Sequence, residues 1–206
     1  MTDAEPVSAN FGVDRGTPID RVFIETFFAS RARWVHGRVL EVGDDRYARR
    51  FGPPDIVAEI LDVDPDNGSA TLVADLAVPG ALAERRYDCA VVTQVLQYVA
   101  DPSVAVHSLY DCLVPGGALL VTAPGITRLD PGAGRRLDRW RFTSQGLTDL
   151  LRCAFSADAV ETMGFGDLPT AIAFLRGSAA EEIGLTVGDT RSSDFPVVVC
   201  ALAVRW

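Results

Sequence analysis

The chain has 206 residues, nearly half of them hydrophobic and under a quarter charged, a composition that supports one substantial core and excludes the disordered and fibrous classes. Its formal charge is −9, and its 19 Lys and Arg residues are scattered apart from pairs such as Arg49/Arg50, Arg85/Arg86 and Arg135/Arg136. That counts against a nucleic-acid substrate, because phosphate backbones are held by clustered basic side chains, and it favours a small molecule.

The start, MTDAEPVSANFGVDRG, lacks the basic and apolar parts of a secretory signal. No apolar run approaches the roughly 18 residues of a membrane span, so no membrane partner and a cytoplasmic location are expected. Next, PIDRVFIETFFASRARW places Ile19, Val22, Phe23, Thr26 and Phe27 at helical spacing, with Pro18 suited to a first helical position. Gly37 breaks that pattern. RVLEV then predicts a short buried strand ending at Gly43, followed by a helix through about Phe51.

Four more apolar runs follow in a steady rhythm: DIVAEILDV, SATLVADL, YDCAVVTQV and GALLVTAP, each bounded by Pro, Gly, Asp or Asn. The connections VPGALAERR and DPSVAVHSLYDCL are helical in composition and long enough for crossovers. Strands alternating with helices predict an α/β fold whose parallel sheet is covered on both faces. Past Pro124, residues 126–140 form a polar, Gly-rich stretch longer than a mere connection, so a functional loop is expected there. A helix over 143–153, a strand over about 157–163, a second helical stretch over 168–183 and a final strand, FPVVVCALAV, complete the chain.

Cys89, Cys112, Cys153 and Cys200 lie far apart in apolar stretches, which predicts buried free thiols rather than a disulfide framework. With only His36 and His107 as imidazoles, no metal site is expected.

In an open parallel sheet, ligands bind beyond the carboxyl ends of the strands, where strand order reverses. After the first strand stand Glu41, Gly43, Asp44 and Asp45. Gly43 lets backbone approach a ligand, or serves only as a turn; a GxGxxG fingerprint is absent, since Asp45 occupies the place of its second glycine. The second strand ends with Asp62 and Asp64, and Asp64 lies where an acid accepts ribose hydroxyls, unless both only cap a turn with Asn67 and Gly68. The third ends with Asp75 and Leu76, the fourth with Thr93 and Gln94. A carboxylate can accept an adenine amino proton, and groups after the fourth strand can meet an amino-acid moiety.

With RVLEVGDD, ILDVDPDN, ATLVADL, the stretch from Tyr87 to Gly125 and WRFTSQGLTDLL in this order, the chain resembles the class I S-adenosylmethionine-dependent methyltransferases. The resemblance implies a Rossmann-like, seven-stranded, mostly parallel sheet with an antiparallel last strand. It implies one domain over 1–206, with an N-terminal lid and helix over 1–36, a cofactor-binding core over 37–125, and the substrate loop with the rest of the sheet over 126–206. It also implies that Glu41 and Gly43 border the cofactor's methionine part, Asp64 the ribose with Asp62 as its rival, Asp75 and Leu76 the adenine, and Thr93 and Gln94 the sulfonium region. The segments DRGTPIDR and WRFT look closest to a bacterial biosynthetic subgroup. They are expected to fold over the methyl end, with Arg15, Arg21, Tyr98, Trp140 and Arg141 around the acceptor, although Trp140 also suits a core anchor. The family's GxGxG is here GDDRY, so that Asp44 or Asp45 either attracts the cofactor's ammonium or weakens its binding.

The implied activity is methyl transfer to a small-molecule acceptor, a sugar or secondary metabolite, by in-line displacement, which needs alignment and exclusion of water rather than a covalent residue. If a base assists, Asp14, Asp20 and Tyr98 are the candidates, since His36 precedes the first strand and His107 falls within a packed or solvated helix. The alternatives are a protein of this fold that binds the cofactor for other chemistry or as a non-methylating partner, and, behind them, a nicotinamide-dependent oxidoreductase.

Overall fold

The protein is described by a computed structural model over residues 5–130, 132, 137–189 and 194–206. Seven strands form one sheet: β1 (Arg38–Val42), β2 (Val57–Asp62), β3 (Leu72–Val73), β4 (Tyr87–Thr93), β5 (Leu113–Pro124), β6 (Val160–Phe165) and β7 (Val198–Val204). Their order is β3-β2-β1-β4-β5-β7-β6, with β7 antiparallel to both its neighbours and the pairings from β3 through β5 all parallel. The Rossmann-like sheet with a reversed last strand is therefore present. Strand order reverses between β1 and β4, and the carboxyl ends of both strands open on the same edge.

Alternation along the central strands sorts the core into two layers. Val39, Cys89, Val91, Ala118, Leu120, Cys200 and Leu202 pack with α1 (Ile19–Arg31), α2 (Arg46–Phe51) and α5 (Leu168–Arg176) on one face. Leu40, Ala90, Val92, Leu119, Val121, Ala201 and Ala203 pack with α3 (Pro102–Cys112) and α4 (Ser144–Leu151) on the other. Both layers are apolar, which is why these strands read as unbroken hydrophobic runs rather than as alternating ones. Phe23, Phe27 and Phe28 of α1 are fully buried, each contributing about 1.5–3 kcal/mol of burial. Phe28 stacks on Tyr47 of α2 at 4.7 Å between ring centroids.

Several expectations need correction. Residues 78–86 form a chain of turns instead of a helix: Pro79 carries no amide proton, Gly80 sits at φ +76°, and the bonds run from Ala81 to Val78, Ala83 to Gly80 and Arg85 to Leu82. The third strand is only Leu72–Val73. The helix begun at Leu168 stops at Gly177, φ +78°, and only a short 3-10 turn, Ala180–Ile183, follows. Pro115, Gly116 and Gly117 lie inside β5, where the pairing with β4 shifts between Tyr87 and Cys89. Cys153 is exposed, standing just past α4 against His107 on α3, whereas Cys89, Cys112 and Cys200 are buried. Among the described residues, no helix is long and apolar enough to cross a membrane.

Candidate active site

The carboxyl ends of β1, β2 and β3 hold the acidic groups singled out above. Glu41, 1% exposed, accepts hydrogen bonds from the amides of Tyr47 (3.1 Å) and Ala48 (2.8 Å), so it anchors α2 to the end of β1. Burial pushes its carboxyl up to about 7, against the pull of those two amides. Gly43 follows at φ +91°, and a Cβ placed there would meet nothing within 4 Å. The space over the end of β1 is open.

Four aspartates around that space are fixed by the same local device, a side-chain oxygen accepting the amide two residues on. Asp44 accepts from Arg46 (3.0 Å), Asp62 from Asp64 (2.9 Å), Asp64 from Asp66 (2.9 Å) and Asp75 from Ala77 (2.8 Å). Their second oxygens differ. Asp62 takes the Asn67 side-chain amide at 2.6 Å, and Asn67 also donates to the Gly43 carbonyl at 3.0 Å, which joins the ends of β1 and β2. Asp44 lies 3.3 Å from Arg46, and Asp45 pairs with Arg49 at 2.8 Å. Asp64 and Asp75 are exposed, and Leu76 beside Asp75 is buried.

At the end of β4 the chain turns sharply. Gln94 adopts φ +56°, and its amide donates to the Thr122 carbonyl of β5 at 2.9 Å. Thr93 and Thr122 are register partners, and both hydroxyls are buried without a hydrogen-bond partner.

Beside these strand ends lies a cavity lined by the N-terminal segment, the first turn of α1, the loop after β4, residues 127, 128, 130, 138 and 141, and α5. Asp20 and Arg21 line it. Burial pushes the Asp20 carboxyl up, against the lowering effect of Arg21, while Arg21 donates to the Tyr47 hydroxyl and stacks over its ring. Tyr98 donates to Asp130 at 2.7 Å; burial first, then this bond, pushes its phenol up, so it keeps its proton. Arg141 grips the buried Asp138 through two bonds of 2.5 and 2.8 Å, and Asp138 also accepts the Asp130 amide.

The other expected acceptor-side residues stand elsewhere. Asp14 is exposed and accepts from Ser8, Arg15 pairs with Glu182, and neither lines the cavity. Trp140 is 41% exposed and donates to the Val99 carbonyl at 2.8 Å, so it pins the loop rather than filling a core. Part of that Gly-rich stretch, with Arg135 and Arg136, lies outside the described residues. Gln97, Arg128, Asp130 and Asp138 were missed in the sequence; only Asp138 carried a readable signal, standing three residues before Arg141 in a polar run.

Residues 15–164 match the family model of a methyltransferase domain. Among solved structures, a S-adenosylmethionine-dependent methyltransferase from Thermotoga maritima, a possible histamine N-methyltransferase, is 17% identical, with 91% of this chain and 94% of that one covered at a TM-score of 0.56. The N-methyltransferase NodS from Bradyrhizobium japonicum, in complex with S-adenosyl-L-homocysteine, is 15% identical over 96% and 91% of the two chains, at 0.55. The 4+2 cyclase SpnF is 18% identical over 98% and 87%, at 0.56. These likenesses show the fold. No curated protein matches the chain.

Proposed function

This chain belongs to the methyltransferase-domain family, and on that premise we propose that it is an S-adenosylmethionine-dependent enzyme acting on a small-molecule acceptor, a sugar or secondary metabolite, seated in the cavity beside Asp20 and Tyr98. The cofactor, when bound, supplies a methyl group on a cationic sulfur, open to in-line displacement. We read the chain as one such domain, with 1–36 closing over the site, 37–125 holding the cofactor and 126–206 shaping the acceptor side.

The observation that carries this reading is the open space above Gly43 at the end of β1, with Asp64 and Asp75 following the neighbouring strands β2 and β3. The donor set fits the group. Asp64 and Asp75 each keep one oxygen outside the local bonds that orient them, so they serve as acceptors for a diol and an exocyclic amine. Asp62, already held by Asn67 and the Asp64 amide, is the weaker choice for the diol. Leu76 offers an apolar surface, and the buried Thr93 hydroxyl lacks a partner that a ligand would provide. Glu41 acts at one remove, by positioning α2.

On the acceptor side, Trp140 and Arg139 are tied to the 97–99 backbone beside the strand ends. Tyr98, a retained phenol bonded to Asp130, orients the acceptor, and Asp20 is the group placed to receive its proton.

The test is calorimetric titration with S-adenosylmethionine, S-adenosylhomocysteine and NAD. Micromolar binding of the two adenosyl ligands, weakened at least tenfold in Asp64→Ala, is expected; preference for NAD, or no binding at all, would overturn the reading.

A further inference from the structure

The cavity contains six charged side chains, and their bonds divide them unevenly. Arg141 and Asp138 satisfy each other. Arg21 is directed to Tyr47, while Arg128 lies 4.5 Å over the Phe11 ring and donates to the Ala9 carbonyl. Both remaining cations are thus turned onto protein partners.

The remaining carboxylates are not so engaged. Among the described residues, Asp20 accepts only the adjacent Arg21 amide, at one oxygen, and has no ion pair within 4 Å. Asp130 accepts one bond at each oxygen and keeps lone pairs to spare.

A third, independent acceptor shares the lining with them. Gln97 is 4% exposed, and its Oε1 is buried without a partner. Its amide cannot simply be turned round: Nε2 donates to the Gln94 carbonyl at 2.9 Å, so exchanging the two atoms would set oxygen against oxygen. A buried acceptor left unpaired costs about 1–3 kcal/mol, and a desolvated carboxylate costs more. Both penalties vanish when a ligand brings positive charge and N–H donors.

We propose that the acceptor is an aliphatic amine, bound as its ammonium through Asp20 with Gln97 Oε1 as a second hydrogen-bond acceptor. The proposal rests on the methyltransferase reading and narrows its acceptor from any small molecule to an amine. A hydroxyl would satisfy Gln97 but leave the Asp20 charge unpaired; a carboxylate would face both Asp20 and Asp130.

Asp20 then has a second use. A proton passes from the ammonium to its carboxylate, an N–H bond breaking as an O–H bond forms, and the electron pair stays on nitrogen as the free nucleophile. A carboxyl that burial pushes up is the better acceptor for that proton.

The experiment is an NMR titration of the full chain with three probes of one shape, propylammonium, 1-propanol and propionate, at constant ionic strength, with and without S-adenosylhomocysteine. The side-chain amide of Gln97 and the backbone amides of Arg21, Tyr98 and Arg128 report. Propylammonium is expected to bind at least about tenfold more tightly than propanol, as a charged hydrogen bond requires. Asp20→Asn is expected to remove that preference while leaving affinity for S-adenosylhomocysteine unchanged. Equal or stronger binding of propanol or propionate, no shift by any probe, or a preference that survives in Asp20→Asn overturns the proposal. The wild-type comparison needs no variant, so it decides even if Asp20→Asn fails to fold. Failure of S-adenosylhomocysteine to bind in the same samples would instead strike the cofactor reading alone.

Discussion

Around the ends of β1, β2 and β3, the bonds that orient the carboxylates span short pieces of chain, two residues for Asp44, Asp62, Asp64 and Asp75, six and seven for Glu41, while the Asn67 bond to the Gly43 carbonyl spans 24. Around the acceptor cavity the Asp138 bonds to Arg141 and Asp130 span three and eight residues, but the others span 26 for Arg21 with Tyr47, 32 for Tyr98 with Asp130, 41 for Trp140 with Val99 and 119 for Arg128 with Ala9. The first side is a set of local turns carried by the sheet. The second is assembled from segments that meet only once the chain has folded. Damage to the two sides should therefore separate, with stability and acceptor recognition lost on one and cofactor affinity on the other.

The sharpest separation comes from Asp138, buried and gripped by Arg141. Asp138→Ala leaves a part-buried guanidinium and the Asp130 amide without their acceptor, at a cost of about 3 kcal/mol. Urea unfolding should show that loss while affinity for S-adenosylhomocysteine changes less than about twofold. The bond from Arg141 holds the Asp138 carboxyl below its ordinary range. Its contribution is therefore present above the unfolded value and lost as pH falls through the lower folded value, so the gap between wild type and variant should close in acid below about pH 4. A gap that persists there would mean the charge is not what holds the loop.

Gly43→Val tests the opposite side. The position has φ +91° and open space above it, so a branched side chain is strained and projects where a ligand's backbone-facing edge would lie. Steric cost of about 1–3 kcal/mol against the ligand corresponds to a loss of about 5–150-fold in affinity by calorimetry. Full affinity in a folded Gly43→Val protein would remove the space above β1 from the site.

The same contrast explains what could be read in the sequence. The β1, β2, β4 and β7 runs and the α1 pattern are local, and the structure has strands and a helix there, whereas the third run keeps only Leu72–Val73 as strand. Gly177 shows the limit. The run from Leu168 keeps a helical composition, but a Cβ at Gly177 would come within 2.7 Å of the Ser8 carbonyl oxygen, so the N-terminal segment dictates the break from 169 residues away. Residues 78–86 were misread for a local reason, because Ala, Leu and Glu outweighed a Pro-Gly pair that decides the outcome. Gln97 and Asp130 left no trace in the pattern, since nothing in their neighbours says which loop they will face.

Glu41 provides a smaller effect at the boundary between the two sides. Its folded value, about 7, lies above the ordinary 4.5, so between those values the folded protein binds more protons than the unfolded one, and stability falls as pH rises. Wild type should lose about 1–3 kcal/mol between pH 5 and pH 8 relative to Glu41→Gln, which stays uncharged. Parallel curves would mean that the Tyr47 and Ala48 amides stabilise the carboxylate enough to cancel its burial.

The smallest effect is expected at Asp45, where the sequence departs from the family's glycine-rich pattern. Its carboxylate is paired with Arg49 at i,i+4 on a largely exposed helix face, a contact worth about 0.3–0.5 kcal/mol. Asp45→Asn should therefore shift S-adenosylhomocysteine affinity less than about threefold in low salt, and the difference should shrink further at 0.5 M salt, where the screening length is only about 3–5 Å. A tenfold gain in affinity would carry a different meaning: Arg49 would not be neutralising the carboxylate, and the acidic turn after β1 would be opposing the cofactor's own carboxyl group. In that case the local side of the site, for all that its turns are readable, would be tuned for weak binding.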